Sequence, residues 1–123
     1  MAMISVNGTR LYYEITGTSD IPVVLVHGSW GDHHNWDPVV PALARAFKVL
    51  TFDRRGHSQS ARETSPGTLQ DDVLDLAALL TALDFAPAHI VGNSFGAAVT
   101  LRLACERPEL FRSLTAHEPP LFA

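Results

Sequence analysis

A serine hydroxyl attacks a carbonyl carbon effectively only when a base takes its proton and when donors face the oxygen on which negative charge collects. One serine of the chain stands where both demands could be met. Gly92-Asn93-Ser94-Phe95-Gly96 follows the apolar run His89-Ile90-Val91 and leads into a mostly apolar stretch over residues 95 to 107. If the first is a strand and the second a helix, the sharp turn between them strains the backbone at Ser94 and lifts its hydroxyl above the sheet. Small flanking residues let the neighbouring chain pass without collision. Phe95, opening the helix, would aim its backbone N–H at the substrate oxygen, since unpaired donors and the helix dipole both favour negative charge there. A glycine-rich segment, His27-Gly28-Ser29-Trp30-Gly31, follows the continuous apolar run Val23 to Val26. It can present a second N–H, and Ser29 is the candidate for that donor. His27 is read as bracing the loop. Trp30 and Trp36 are candidates for lining a pocket, and core packing explains either equally well.

Elements must hold these loops together. Ile4 to Val6 and Thr9 to Ile15 flank Asn7-Gly8, a turn dipeptide that predicts an antiparallel hairpin. Val23 to Val26 has the unbroken apolar character of a strand covered on both faces. Asp37-Pro38 suits a helix start, with Val39, Val40, Leu43, Ala44 and Phe47 near helical spacing, and Lys48 to Phe52 resumes a strand. Thr68 predicts the cap of a second helix whose Leu69, Val73, Leu76, Ala77, Leu80 and Leu83 face the core, while Asp71, Asp72 and Asp75 are expected in water. The helix after Ser94 should stop before Pro108. Leu114 to His117 reads as one more strand. A hairpin followed by alternating strands and helices predicts an α/β fold, a mostly parallel sheet with helices on both faces. Residues 58 to 68 form the one long loop. Four segments then follow parallel strands directly: His27 to Trp30, Asp53 to His57, Asn93 to Gly96 and Glu118 to Pro120. They should meet along the carboxyl edge of the sheet, where open α/β sheets bind ligands.

Three of these stretches, Val24-Leu25-Val26-His27-Gly28, Phe52-Asp53-Arg54-Arg55-Gly56-His57-Ser58 and Val91-Gly92-Asn93-Ser94-Phe95-Gly96, resemble the α/β-hydrolase superfamily, in its order. The resemblance runs from the hairpin to Pro120. It implies esterases, lactonases, carbon-carbon bond hydrolases and cofactor-free haloperoxidase-like enzymes as relatives. Serine at 94, where haloalkane dehalogenases and epoxide hydrolases carry aspartate, points away from those branches. It also implies that Asp53 to Ser58 shape a turn beside the site, with Asp53 and Arg55 as structural ion-pair or hydrogen-bond partners.

The same resemblance places a catalytic Asp or Glu and then a histidine after the serine. Since the family domain runs to about 250 residues, residues 1–123 are expected to be its N-terminal portion, with the acid and histidine outside this chain. Among the six histidines, His33 and His34 are read as a polar loop, His57 lies in the turn near the site, and none is assigned as the catalytic one. Glu118, after the next strand, occupies a position some relatives use for the acid. The strand at Leu114 to His117 would expose an unpaired edge, so a second polypeptide piece completing the fold is the expected partner.

The expected chemistry is that of a serine hydrolase acting on an ester, lactone or related small acyl compound, requiring neither metal nor organic cofactor. A carbon-carbon bond hydrolase, and a noncatalytic, ligand-binding relative, remain alternatives. The 123 residues carry a formal charge of −4 and 46% apolar side chains. There is no basic stripe for nucleic acid or anionic membrane. Without an apolar N-terminal segment, the expectation is a cytoplasmic protein. Cys105, the single cysteine, is expected to be a buried helical thiol with no chemical role.

Overall fold

A computed structural model describes residues 2–62 and 65–120. Asn7 and Gly8 both take positive φ, 47° and 76°, which is what a two-residue turn matched to strand twist requires. They join β1 (Ala2–Val6) to β2 (Thr9–Thr16) as an antiparallel pair. Next come β3 (Pro22–Val26), β4 (Lys48–Phe52), β5 (Ala88–Asn93) and β6 (Phe111–His117), all mutually parallel, in the order β1-β2-β4-β3-β5-β6. β2 joins the hairpin to the parallel part by running antiparallel to β4.

All five residues of β3 are buried. Alternation along the strand divides them between two cores. Val24 and Val26 enter a large cluster with Leu50, Phe52, Ile90 and residues of α2 (Leu69–Ala82) and α3 (Phe95–Glu106). Val23 and Leu25 join Val49 in a smaller cluster on the opposite face, covered by Trp36, Val40, Leu43, Ala44 and Phe47. Helices therefore lie on both faces of a mostly parallel sheet, as expected.

The elements differ from expectation in four places. The helix expected from Asp37 is only α1 (Val40–Leu43), preceded by a 3-10 turn at His33–Trp36. Beyond Leu43 the amides of Arg45 and Ala46 reach back three residues rather than four, tightening the chain before β4. β6 begins at Phe111, three residues early, because a 3-10 turn at Pro108–Leu110 delivers the chain directly to its pairing with Ala88. Within the loop expected over 58 to 68, Ser58–Ser60 make another 3-10 turn, and residues 63 and 64 lie outside the described residues. Cys105 is exposed, not buried. It lies about 200° around the helix from the buried Leu103.

Thr68 caps α2 as expected, with Asp71 reciprocating. The Thr68 side chain accepts from the Asp71 amide at 3.2 Å, and the Asp71 carboxylate accepts from the Thr68 amide at 2.8 Å. That amide holds the Asp71 carboxyl below the usual carboxylate range. Asp72 and Asp75, expected in water, are instead buried, 5% and 1% exposed. The arginines of the β4 turn reach them, as described below. Among the described residues no helix is long and apolar enough to cross a membrane.

Candidate active site

Because β3, β4, β5 and β6 run parallel, the four segments that follow them emerge along one edge of the sheet. Ser94 stands at the tip of the β5–α3 turn with φ 53° and ψ −119°, a conformation non-glycine residues rarely take. The surroundings hold it there. Its amide donates to the carbonyl of His117 at 2.9 Å, and its carbonyl accepts from the amides of Ala97 and Ala98. A Cβ placed on Gly96 would come within 2.3 Å of the Val26 carbonyl oxygen, so only glycine lets α3 lie this close to β3. Ser94 is exposed, and its side chain does not cap its own helix.

The Gly28 loop lies against this turn. A Cβ built on Gly28 would sit 3.1 Å from Cβ of Ser94 and 3.7 Å from the amide nitrogen of Phe95. Ser29 and Phe95, the candidate donors, thus flank Ser94, and neither amide has an acceptor among the described residues. They border a cleft of about 200 Å³ lined also by Trp30, Arg54, His57 and Pro66. Trp30 is 99% exposed, with φ 64°, at this cleft. Trp36 belongs to the smaller core, and its indole Nε1 is buried with no partner among the described residues.

His27 braces the loop, as expected. It is fully buried, with Nδ1 2.7 Å from the Gly28 carbonyl and Nε2 3.0 Å from the amide of Arg54. Since Nε2 accepts that N–H, the ring proton must sit on Nδ1. Burial chiefly, with Arg54 and His57 adding to it, lowers its pKa to about 4, and the imidazole is neutral at neutral pH.

The other histidines are also engaged. His57 lines the cleft with Nδ1 2.9 Å from the Arg55 carbonyl and its ring edge-on to His27 at 5.2 Å. His34 meets Asp37, His89 meets Ser113, and His117 at the end of β6 meets Asn93. Among the described residues no ring of the chain's six histidines hydrogen-bonds to the Ser94 side chain. Glu118, the candidate acid, is exposed just beyond β6 with φ 50° and has no hydrogen-bond partner among the described residues.

His33 departs from the expected polar loop. It is buried, because Asp53 at the end of β4 reaches it: Oδ1 of Asp53 lies 2.8 Å from the His33 amide and 2.7 Å from its Nδ1, while Glu14 approaches Nε2 at 3.3 Å. Asp53 Oδ2 also accepts from the Gln59 amide. Asp32, His33 and Asp53 bring ligand-type atoms within 4.8 Å of one another, the one such grouping among the described residues. Their carboxylates already accept backbone N–H groups, Asp32 from His34 and Asp53 from His33 and Gln59, so the group serves as a loop anchor.

Two ion pairs, one buried and one largely so, fix the β4 turn to α2. Arg55 grips Asp75 through Nε at 2.6 Å and Nη2 at 2.8 Å, joined by the Asn7 side chain. Arg54 grips Asp72 through Nε at 3.2 Å and Nη2 at 3.1 Å. The paired arginines after Asp53 and the aspartates three residues apart on one helix were the available sequence signal for this.

A strained, exposed serine between a parallel strand and a helix, with a glycine loop beside it, defines an α/β-hydrolase type of site. The chain belongs to the alpha/beta hydrolase fold family, whose model matches residues 21–123. A putative non-heme bromoperoxidase of Mycobacterium tuberculosis is 44% identical over 107 residues, covering 85% of this chain and 40% of the relative. The crystal structure of a serine hydrolase from Cycloclasticus zankles superposes with a TM-score of 0.91 at 30% identity, covering 99% of this chain and 47% of that one. An enol-lactonase from Burkholderia xenovorans LB400 gives 0.86 at 30% identity, covering 94% and 45%. The chain spans only 30% to 44% of the length of the curated relatives it matches first.

Proposed function

We propose that Ser94 is the nucleophile of a serine hydrolase acting on a carboxylic ester, lactone or related acyl compound. The observation that carries this reading is the backbone of Ser94, held at φ 53° and ψ −119° with the residue exposed and the Gly28 loop packed against it. Similarity to an enol-lactonase and to a serine hydrolase supports the same class.

In this scheme Ser94 Oγ bonds to the acyl carbon as its proton passes to a base, and the carbonyl electrons move onto oxygen, which accepts hydrogen bonds from the Ser29 and Phe95 amides. Collapse of that intermediate breaks the acyl–oxygen bond. The leaving oxygen takes the proton, and in a lactone it stays tethered to the acyl chain. Water then attacks the acyl-enzyme and releases the acid and the free serine. The base comes from residues outside those described, because the six histidines are engaged elsewhere, and its orienting acid comes from there too, with Glu118 as the alternative. A second polypeptide piece or further chain supplies them, and residues 1–123 alone are inactive. Glu118 is the candidate acid within the chain.

A fluorophosphonate probe applied to the protein at its natural length tests this. Labelling at Ser94 that vanishes in Ser94→Ala is the expected result. Absence of labelling would refute it and favour the noncatalytic, ligand-binding alternative.

A further inference from the structure

Arg54 takes no part in the scheme above, yet it contacts three of the segments around the site. Its guanidinium is bidentate to Asp72 of α2, lies 4.6 Å over the ring of Phe95, and turns Nη1 toward the carbonyl of His27 at 3.5 Å. Its own amide donates to His27 Nε2 at 3.0 Å. His27 leads into the Ser29 loop, and Phe95 carries the other candidate donor. One side chain therefore ties α2, the glycine loop and the start of α3 together from the inner wall of the cleft.

Stability alone is a weak explanation for this arrangement. Both partners are about 95% buried, and a buried ion pair commonly contributes no more than well-packed apolar residues of the same volume. Nor does the pair offer a free charge to an anionic substrate, since Asp72 faces the guanidinium through two hydrogen bonds. What the pair supplies is geometry: a rigid planar fork can satisfy Asp72 and stack on Phe95 at once, which a lysine ammonium cannot.

We propose that Arg54 is a positioning residue that holds the Ser29 and Phe95 amides in register around Ser94. The inference rests on the reading of Ser94 as nucleophile. Arg55–Asp75 provides an internal control, because it is a largely buried pair one residue along whose hydrogen bonds run to Asp75 and Asn7 and not to Phe95 or His27.

The test measures the rate of fluorophosphonate labelling at Ser94, and kcat and KM on a p-nitrophenyl ester, in the protein at its natural length. The double variant Arg54→Met/Asp72→Leu removes both charges together and so strands neither. It should unfold near the wild-type urea midpoint yet label roughly 10- to 100-fold more slowly, with the loss in kcat rather than KM. Arg55→Met/Asp75→Leu should label at the wild-type rate. If the Arg54 double variant does not fold, Arg54→Lys keeps a charge opposite Asp72 and should still label several-fold more slowly. Wild-type rates in a folded Arg54 variant, or an equal loss in the Arg55 pair, would overturn the assignment. A wild-type protein that never labels would instead remove the reading of Ser94 and this inference with it.

Discussion

Replacing Gly96 with alanine adds one methyl group at the point where α3 crosses β3. That carbon would lie 2.3 Å from the Val26 carbonyl oxygen and 2.6 Å from that of His27, whereas ordinary van der Waals contact begins at 3.4 Å. The shortfall is about 1.1 Å against backbone atoms, which cannot rotate away as a side chain could. Alanine gains about 1 kcal/mol of helix propensity over glycine, while overpacking a tight contact costs about 1 to 3 kcal/mol. With two carbonyls in the way the upper end applies, leaving a net loss of about 2 kcal/mol. The larger effect is on chemistry. Relieving the clash moves the start of α3 outward by about 1 Å, carrying Ser94 and the Phe95 amide from the Ser29 loop, and a misplacement of that size costs on the order of 100-fold in rate. Urea denaturation gives the first quantity and fluorophosphonate labelling the second. A Gly96→Ala protein labelled at Ser94 within threefold of wild type would refute the claim that close packing of α3 on β3 sets the site.

Thr68→Ala removes half of the α2 capping box and should cost about 1 kcal/mol in urea denaturation. Arg55→Met leaves the buried Asp75 without its cation, with the Asn7 hydrogen bond retained, and should cost about 3 kcal/mol, most of it recovered when Asp75→Leu is added; a double variant as unstable as the single one would contradict this. His27 titrates near 4 in the folded protein against 6.5 unfolded, so the unfolded state binds the proton first. Its contribution is complete above about pH 6.5 and lost as pH falls toward 4, by up to about 3 kcal/mol, a slope that should be absent in His27→Gln. Cys105, exposed on α3, should react with a thiol reagent in the native protein as fast as after unfolding, and strong native-state protection would contradict its placement.

Local signals in the sequence anticipated the hairpin, the parallel order and both long helices, because each has a cause within a few residues. Asn7-Gly8 can adopt two positive φ angles, Thr68 and Asp71 cap each other, and Val23 to Val26 carries no polar face to leave in water. The errors fall where a distant partner decides. Nothing near His33 says that Asp53, twenty residues on, will draw it inside, and nothing near Cys105 fixes how far α3 is rotated against the sheet. Ser94 and the two loops beside it were legible because the turn itself imposes the glycines.

Asp72 and Asp75 give the clearest view of what periodicity leaves out. A helical pattern sorts side chains by hydrophobicity, and on that basis carboxylates belong in water. Yet two consecutive arginines after β4, at positions facing α2, invert the choice, because each buried guanidinium would otherwise lack an acceptor. Neither pair can be inferred from its own element: the arginines read as a polar turn and the aspartates as a wet helix face until the β4 turn is packed against α2. The Arg54 pair differs from the Arg55 pair in where its guanidinium ends, over Phe95 and beside His27 rather than beside Asn7. Sequence thus displays the proposed nucleophile openly, whereas the residue proposed to align its surroundings is visible only through contacts that no single segment contains.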